Sequence, residues 1–395
     1  MIEGTIGDFF DVKGGKRLPK GSSFSDKETS YPYLRVTDFQ RNGFNCKDVK
    51  YIDAKTQSSI KRYTIASGVV YISIAGTIGV AGIIPDLFDG ANLTENAAKL
   101  IPKKGVKIHN KFLSYFLNTA EVQNVIKSKT MAVGVPKLAL FRIQEIPIKF
   151  PPPPEQQKIA SILDAADNLR QKDQQLIKKY NALSQSLFLD MFGDPVTNPM
   201  GWDKRNLQDL VKSVIDCPHT TPNWTSSGKV AIRTSNLTQG GWSWKDKRFV
   251  SEEDFHDRSK RGYVKHGDII LSREGTVGVL AIVEMEMEIC LGQRLVQLIP
   301  DFSLANNYYL LHLLLYELEP ERISRIMVGA TSKHLNVKEL REMSLPVPPI
   351  DLQNQFAERI QVIETQKQLA LASLEKSEAL FNTLLQRAFK GELTT

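Results

Sequence analysis

Two stretches of the chain carry apolar residues at alternating steps of three and four, a pattern typical of helices that bury one face against another helix. Proline clusters and glycines bound both stretches, so we expect helices from about Glu155 to Gly193 and from about Leu352, capped by Asp351, to Gly391. Some 38 residues of helix span roughly 57 Å, which is long for a helix inside one domain. The predicted contact positions are Ile159, Ile162, Leu169, Leu176, Tyr180, Leu183 and Leu187 in the first helix and Phe356, Ile360, Ile363, Leu374, Phe381 and Leu384 in the second.

Each apolar row needs a partner, and the other helix is the obvious one. The ends of a compact domain usually lie close together, so the second helix should begin near the place where the first one ends. This predicts an antiparallel coiled-coil spacer in which Asp173 and Lys367 form a polar layer that sets the register. Two alternatives stay open: both stretches could be core helices of one large domain, and the two charges could simply be solvated.

The rest of the chain repeats itself at a shift of 197–199 residues. The run YLRVTDFQRNG from Tyr33 matches AIRTSNLTQGG from Ala231, and GVVYISIAGTIGVAGII from Gly68 matches GDIILSREGTVGVLAIV from Gly267. β-rich runs and helical patterns alternate within each copy, which favours a mixed α+β fold built from two repeated domains. We expect four parts, namely a domain at 1–150, a proline hinge and central helix at 151–193, a second domain at 194–350, and a distal helix and tail at 351–395.

The charge is distributed unevenly. The net charge is +7, a balance that suits a nucleic-acid partner. Residues 1–154 hold 22 Lys and Arg against 13 Asp and Glu, whereas residues 193–351 hold 19 against 21. Three widely spaced cysteines, the lack of a signal-peptide pattern and the lack of a long apolar run favour a cytoplasmic protein without membrane segments.

Motifs for catalysis are missing from the sequence. It contains no GxxxxGK[ST] run for ATP, no Asn-Pro-Pro-aromatic motif or glycine-rich turn for adenosylmethionine, and no HExxH or paired-cysteine metal site. The glycine-rich runs GTIGVAG from Gly76 and GTVGVLA from Gly275 lie between two strand-like stretches, which favours tight β-turns over phosphate loops. We therefore expect no catalytic residues, no metal and no cofactor in this chain.

The ordered set of motifs resembles the specificity subunits of type I restriction-modification systems. The motifs that carry the resemblance are DCPHTTP from Asp216, SREGTVGVLAIV from Ser272 and ATSKHLNVKELREMSLPVPPIDLQNQ ending at Gln355. The last of these recurs in the first half as VPKLALFRIQEIPIKFPPPPEQQKIA, and the helix tails SLFLDMFGDP and LLQRAFKGEL also fit. The first half departs from the pattern, because VKGGKRLPKG from Val12 stands where the second half has DCPHTTP.

The resemblance implies a non-catalytic DNA-binding subunit that serves defence against foreign DNA. Each repeated domain would be a target-recognition domain that reads half of a bipartite, asymmetric site on double-stranded DNA, and the helices would set the gap between the half-sites. Two methylation subunits would dock at the helices and motor-nuclease restriction subunits would join them, so S-adenosylmethionine, ATP and Mg would be bound by the partners. The alternatives are a DNA methyltransferase or nuclease with unrecognised motifs, and a coiled-coil scaffold.

Base reading needs side chains that present donors and acceptors to base edges, and phosphate contacts need cations and hydroxyls. Matched positions of the two halves supply such groups in the loops after LRVTDF and IRTSNL. The DNA-binding candidates are Lys13, Lys16, Arg17, Arg35, Thr37, Asp38, Gln40, Arg41, Thr77 and Lys137 in the first half, and His219, Thr220, Thr221, Arg233, Ser235, Asn236, Arg273, Glu274, Lys333 and His334 in the second.

Overall fold

Short strands and helices alternate along the chain, and two helices are far longer than the rest. The computed structural model describes residues 2–130, 136–319, 322 and 334–393. The helices of this part, numbered in chain order, are α1 (Ile6–Phe9), α2 (Ala54–Ile60), α3 (Asn110–Leu117), α4 (Ala120–Lys129), α5 (Leu140–Gln144), α6 (Pro153–Phe192), α7 (Leu207–Leu210), α8 (Glu252–Arg258), α9 (Asn307–Glu317), α10 (Val337–Arg341) and α11 (Ile350–Lys390).

The strands are short, and most have two to six residues. They are β1 (Ile2–Thr5), β2 (Phe10–Gly14), β3 (Pro32–Leu34), β4 (Phe39–Gln40), β5 (Gly43–Phe44), β6 (Lys50–Tyr51), β7 (Thr64–Ile65), β8 (Val70–Ser73), β9 (Ala81–Ile83), β10 (Ala91–Leu93), β11 (Ala97–Pro102), β12 (Pro147–Phe150), β13 (Lys204–Asn206), β14 (Val211–Asp216), β15 (Trp224–Thr225), β16 (Lys229–Ile232), β17 (Leu237–Thr238), β18 (Gly241–Trp242), β19 (Phe249–Val250), β20 (Ile269–Ser272), β21 (Leu280–Ile282), β22 (Ile289–Leu291), β23 (Leu295–Pro300) and β24 (Ser344–Pro346).

The same strand topology occurs twice. The first half has an antiparallel sheet of order β2-β11-β8-β9, and the second half has the matching order β14-β23-β20-β21. A second sheet follows in each half, of order β6-β3-β10-β7 in the first and β15-β19-β16-β22 in the second, and each contains a parallel pair, β3 with β10 and β16 with β22. The mixed fold and the duplication predicted from the sequence are therefore confirmed at the level of strand pairing.

The central strands are buried on both faces, which explains their continuous apolar runs. In β8, Val70 and Ile72 pack into one hydrophobic core and Tyr71 points into another. In β20, Ile269 and Ile270 divide in the same way between two cores. A strand covered on both sides cannot accommodate the alternating polar residues of a half-exposed strand, so GVVYISI and GDIILS read as strands without alternation.

The glycine-rich runs are turns between antiparallel strands, as predicted. β8 pairs with β9 and β20 pairs with β21 in antiparallel register. Gly76 and Gly275, which open the two turns, both have φ of 74°, a left-handed backbone conformation that strains other residues. Neither run opens a helix, so the phosphate-loop geometry is absent at these two positions.

The long helices begin slightly earlier than the sequence indicates. α6 begins at Pro153, and α11 begins at Ile350. The expectation that Asp351 is an N-cap is wrong: it lies inside the first helical turn, where its carboxylate still faces the positive end of the helix dipole. At the other ends, Gly193 and Gly391 have φ of 76° and 80°, which confirms the glycine stops.

A buried glutamine fastens the start of each long helix to the domain that precedes it. Gln156 donates from Nε2 to the Pro151 carbonyl (2.7 Å) and accepts from the His109 backbone N–H (2.8 Å). Gln353 makes the matching bonds, to the Pro348 carbonyl (2.8 Å) and from the backbone N–H of residue 306 (2.8 Å). Both glutamines are fully buried. A buried amide must satisfy its donors and acceptors, so each glutamine fixes the exit of its helix.

The chain forms two compact units, Met1–Gln174 with Ala372–Thr395, and Gln175–Leu371. In the first unit, the Arg170 guanidinium carbon lies 5.1 Å from the Phe381 ring centroid, and Asp173 accepts a 2.8 Å hydrogen bond from Ser377. Moving forward along α6 thus means moving backward along α11. The helix pair of this unit is antiparallel, as predicted.

The second unit contains a helix pair of the same sense. The Ser184 hydroxyl lies 3.5 Å from a Glu364 carboxylate oxygen, and the rings of Phe188 and Phe356 are 5.7 Å apart. Phe356 and Phe188 belong to one hydrophobic core with the fully buried Tyr309 of α9. The long helices are therefore also part of the domain core in this unit.

The predicted polar layer of Asp173 with Lys367 is wrong. Both Asp173 carboxylate oxygens accept hydrogen bonds from serines of α11, from Ser373 at 3.1 Å and Ser377 at 2.8 Å. Lys367 instead pairs with Glu364 at 3.0 Å. Two hydroxyl donors meet the hydrogen-bonding needs of the buried Asp173 without a cation.

Part of the predicted contact row on α6 is also wrong. Leu169, Leu176 and Leu183 are 45%, 40% and 51% exposed, whereas Leu163 and Phe188, absent from that prediction, are buried. A straight α-helix has 3.6 residues per turn, so its buried face drifts away from a strict seven-residue repeat. Of the other contact positions, Ile159, Phe356, Ile360 and Phe381 are buried, and Ile162, Tyr180, Leu187, Ile363, Leu374 and Leu384 are half-buried.

His312 of α9 is half-buried, and its Nε2 is a buried atom without a hydrogen bond within the described residues. Its ring meets the edge of Phe356 at 5.3 Å between centroids. Burial, and to a lesser degree the positive charge of Lys367, lower the pKa of His312 to about 3. The folded protein therefore holds this side chain neutral at pH values where an unfolded chain would begin to protonate it.

We expect the free energy of unfolding to decrease as the pH falls, because of His312. The side chain takes up a proton near pH 6.5 in the unfolded chain and only near pH 3 in the folded protein. The stability that neutral His312 contributes is therefore complete above about pH 6.5. It is lost as the pH falls from 6.5 to 3, by up to about 1.4 kcal/mol per pH unit. Denaturant unfolding of wild type and His312→Leu at pH 7.5 and 5.0 measures this, and the variant should lose less stability on acidification.

Equal pH slopes for wild type and His312→Leu would contradict the assignment.

Candidate nucleic-acid interface

Five loop segments of the first half meet at one end of its sheets. They are the loop after β2, the loop after β3, the β8–β9 turn, the loop between β10 and β11, and the segment before α5, at residues 15–17, 35–37, 74–79, 94–96 and 136–138. The Lys16 backbone N–H bonds the Leu93 carbonyl (2.8 Å), and the Ile74 N–H bonds the Asn96 carbonyl (2.8 Å). The Leu138 N–H in turn bonds the Ile74 carbonyl (2.9 Å). The Thr94 N–H bonds the Leu34 carbonyl (3.1 Å) at the start of the loop after β3, so backbone bonds hold the five segments in one surface.

Gly15 permits the closest of these approaches. A Cβ atom at this position would lie 2.1 Å from the Thr94 carbonyl oxygen and 2.2 Å from that of Leu93. No side chain fits such a gap, so the basic loop that follows can lie flat against the 94–96 loop only because residue 15 is glycine. Arg17, Arg35, Thr37, Glu95 and Asn96 all line the resulting groove, which has a volume of about 360 Å³.

The same five segments meet in the second half, at residues 217–221, 233–235, 272–278, 292–294 and 334–335. The Gly292 N–H bonds the Ile232 carbonyl (2.8 Å), and the Arg273 N–H bonds the Arg294 carbonyl (3.0 Å). The Leu335 N–H bonds the Arg273 carbonyl (2.9 Å), which repeats the link from Leu138 to Ile74. We call the two five-segment surfaces the first and second recognition surfaces.

Ion pairs hold the cations of the first recognition surface in place. Arg17 donates from Nε to Glu95 at 2.6 Å. Burial disfavours the charge on Glu95, but hydrogen bonds from Arg17 and Thr94 outweigh it and keep the pKa of this carboxyl below its ordinary value. Arg35 pairs through Nη2 with Asp38 (3.0 Å) and Asp48 (3.2 Å). The surface therefore has charged groups in fixed positions.

A row of neighbouring ionisable side chains crosses the second recognition surface. Asp216 lies 3.2 Å from the Nε of Arg273 and 3.2 Å from the Nε2 of His219. Arg273 in turn lies 3.2 Å from Glu274, and the other oxygen of Glu274 lies 3.4 Å from the Nε of Arg294. This row of side chains links three of the five loops.

Three candidate residues are buried, which disfavours direct contact of their side chains with DNA. The exposed fractions of Asp38, Asn236 and Arg273 are only 1%, 2% and 8%. Asn236 accepts from the Arg233 N–H (2.9 Å), and its Nδ2 donates to the Ser243 and Asp246 carbonyls (3.1 Å each). These side chains shape the loops on which other groups are presented, which a pattern of residue types could not reveal.

The remaining candidates divide by position. Lys16, Arg17, Thr37, Thr77, Lys137, His219, Thr220, Thr221 and Ser235 are exposed on the two recognition surfaces, and Arg35, Arg233, Glu274 and His334 are half-buried there. Lys13 is exposed but lies within β2, next to Asp11 (3.7 Å). Gln40 and Arg41 are exposed on the β4–β5 hairpin, which Asn42 attaches to α3 through a 2.8 Å bond from Asn118. Lys333 lies outside the described residues.

Sequence reasoning missed the loop between β10 and β11 and its counterpart. Glu95 and Asn96 in the first half correspond to Gln293 and Arg294 in the second, at a shift of 198. The strands on both sides keep their apolar pattern between the halves while these residues change. A change of residue type between the two halves, next to strands whose apolar pattern is kept, is the signal that could have identified them.

The described residues show two further absences. No helix among them is both long enough and apolar enough to cross a membrane. They also contain no group of three or more His, Cys, Asp or Glu side chains arranged to hold a metal ion.

A rigid sheet that presents variable polar loops, built twice in one chain, defines a binding protein with two related recognition surfaces. Comparison with known families agrees with this class. The family of type I restriction modification DNA specificity domains matches residues 2–179 and again 199–377, and the chain belongs to this family.

Relatives and solved structures of the same class resemble the chain over nearly its whole length. The MjaVIII specificity subunit of a type I restriction enzyme from Methanocaldococcus jannaschii is 22% identical, over 98% of this chain and 92% of the relative. The EcoKI specificity subunit from Escherichia coli is 20% identical, over 93% and 83%. The crystal structure of a type I S subunit from M. genitalium has the same fold, with a TM-score of 0.60 and 15% identity over 98% of this chain and 95% of that one.

Changing Asn236 should destabilise the second domain. Asn236→Asp replaces an amide donor by an oxygen that faces two backbone carbonyls, so we expect a loss of about 3 kcal/mol, the upper end of the cost of a buried unsatisfied polar group. Denaturant unfolding measures this loss. Ser235→Ala, at the exposed neighbour, should change the free energy of unfolding by less than about 0.5 kcal/mol. Equal effects of the two substitutions would show that Asn236 does not hold the loop.

Proposed function

We propose that this chain is the DNA sequence-recognition subunit of a type I restriction-modification complex, with each recognition surface reading one half of a bipartite site. The observation that carries the proposal is the repetition of the five-segment surface on two copies of one domain. Loops held by backbone hydrogen bonds can present donors and acceptors in fixed positions, which base reading requires.

The two half-sites should differ in sequence. The register of the neighbouring strands aligns Gly15 with Cys217, so the first surface presents Arg17 where the second presents His219. The changed loop reads Thr94-Glu95-Asn96 in one and Gly292-Gln293-Arg294 in the other. Arginine favours guanine and asparagine favours adenine, so different side chains in the same frame read different bases, and the site as a whole is asymmetric.

Electrostatic attraction to phosphates should come mainly from the first half, which holds 22 Lys and Arg against 13 Asp and Glu. The second half is slightly acidic overall, and its cations are held in ion pairs such as that of Arg233 with Asp246. We therefore expect the second half to contribute more to base reading than to general affinity for DNA.

The long helices carry exposed apolar residues that a partner would cover. The first unit exposes Leu169 and Leu380, and the second unit exposes Leu176, Leu183, Val362 and Leu369. Exposed leucines on a helix are typical of a surface that packs against further helices. We assign the exposed apolar residues of each unit to contact with the methylation subunits, and the helices would also set the gap between half-sites.

Catalysis would belong to the partners. The sequence lacks motifs for adenosylmethionine and ATP, so in this proposal S-adenosylmethionine, ATP and Mg bind to the methylation and restriction subunits, and the complex acts in the cytoplasm. Assembly with such partners is supported by a solved structure that describes complex assembly of the type I R-M system. One chain of that structure is similar to this one, with a TM-score of 0.51 and 16% identity over 99% of this chain and 98% of that one.

Methylome sequencing tests the proposal directly. Cells that hold this gene and its methylation subunit should show one methylated motif made of two different half-sites with a fixed gap, and deletion of this gene alone should abolish it. Absence of any bipartite motif would contradict the proposal. Methylation of DNA by the purified chain with adenosylmethionine would instead favour a methyltransferase.

The docking surface is tested by Leu176→Ser with Leu183→Ser. Changing exposed leucines costs the free chain little stability. Burial of each leucine in a complex would contribute about 1.5–3 kcal/mol to binding, so the double variant should no longer co-purify with the methylation subunit. Leu87→Ser is the matched control, because Leu87 is 77% exposed but belongs to the Asp86–Phe88 turn of the first domain and not to a long helix. Equal retention of the methylation subunit by both proteins would place docking elsewhere.

A further inference from the structure

One exposed arginine of the first recognition surface is held in a defined orientation. Arg17 has 78% of its side chain exposed, and its Nε is hydrogen-bonded to Glu95 at 2.6 Å. The other oxygen of Glu95 accepts from the Thr94 hydroxyl at 3.0 Å, and Thr94 is buried. One carboxylate oxygen of Glu95 is thus held by Thr94, and the other oxygen holds the Nε of the Arg17 guanidinium.

The second recognition surface has an exposed arginine that is ion-paired through Nε with a carboxylate of a different loop. Arg294 is 58% exposed, and its Nε lies 3.4 Å from Glu274. Glu274 is held by the buried Arg273, which is fixed by Asp216. The backbone of Arg294 has φ of 68°, a strained conformation for a non-glycine residue.

A carboxylate at Nε leaves both terminal nitrogens of the guanidinium for a ligand. In the part of the chain that the structure describes, neither Arg17 nor Arg294 donates a hydrogen bond through its Nη atoms. Two parallel donors at fixed spacing match the O6 and N7 acceptors of guanine in the major groove. The ion pair also removes part of the entropy cost of ordering a long side chain on binding.

The neighbouring arginines are less suitable for this role. The Nη2 of Arg35 is engaged by Asp38 and Asp48, and that of Arg233 by Asp246. Arg273 is buried. Both engaged guanidinium groups would have to break an ion pair before they could reach a base.

We propose that Arg17 and Arg294 each read a guanine, one in each half-site, and that Glu95 and Glu274 act as positioning residues that orient them. This inference rests on the proposed function and adds to it the base and the side chain that reads it. The two surfaces use the same chemistry from non-equivalent loops: the arginine follows β2 in the first and precedes β23 in the second.

Methylome sequencing of single variants tests the inference in cells that also hold the methylation subunit. Arg17→Ala should relax one guanine of one half-site, and Arg294→Ala should relax one guanine of the other, with about 5- to 150-fold loss of discrimination, the range of a bidentate contact to a base. Glu95→Gln and Glu274→Gln should relax the same positions more weakly, because the arginine remains but is no longer held by a charge.

Lysine substitutions separate base reading from phosphate contact. Arg17→Lys and Arg294→Lys keep the positive charge but lack the fork, so they should relax the same guanine as the alanine variants. Restoration of full discrimination by lysine would show a phosphate contact and overturn the inference.

Arg387→Ala is the matched control, since Arg387 is also exposed and has its Nε 3.8 Å from a carboxylate, that of Glu392, but lies at the end of α11. It should leave the motif unchanged. A wild-type bipartite motif without guanine in one half-site, or one that none of the arginine variants alters, would overturn the inference and leave the proposed function standing. Only the absence of any bipartite motif in the wild type would count against both.

Discussion

The fold depends on the two buried glutamines that fasten the long helices to their domains. Gln156 and Gln353 use the whole amide to join the proline-rich exit of a domain, the start of its following helix and the loop that leads into α3 or α9. An unsatisfied buried amide would cost about 1–3 kcal/mol, so these joints tolerate little movement. Helix and domain behave as one body at each joint, and the recognition loops are carried on a defined frame.

That frame separates the tasks of the residues. Buried groups such as Asp38 and Asn236 shape the loops through backbone hydrogen bonds, and exposed groups at the loop tips remain available for a ligand. Ion pairs connect the two sets, because Glu95 and Glu274 are anchored at one end and hold an exposed arginine at the other. The specificity of such a surface resides in side-chain identity, while its geometry resides in the backbone.

Much of the architecture could be predicted from the sequence, because periodicity and internal repetition are properties of the chain itself. The antiparallel long helices, the glycine stops at Gly193 and Gly391 and the strand-turn-strand runs follow from such patterns. Burial did not follow. A seven-residue repeat predicts that Leu169 is buried, because it ignores the 3.6-residue turn of the α-helix. The residue type of Asp38 suggests an exposed side chain, because the sequence does not reveal that its carboxylate accepts a hydrogen bond from the Arg35 backbone N–H.

The strand register shared by the two halves has an evolutionary consequence. β11 and β23 both end at the sequence Leu-Ile-Pro. On one side they pair with β2 and β14, which precede the loops at 15–17 and 217–221, and on the other side with β8 and β20, which precede the glycine turns. The two residues just before each of these strands, at 95–96 and 293–294, lie outside the buried cores and can vary while the cores stay intact, whereas a Cβ at Gly292 would lie 2.4 Å from the Ile232 carbonyl oxygen. A lineage could acquire a new target sequence in few mutational steps, without passing through an unfolded intermediate genotype.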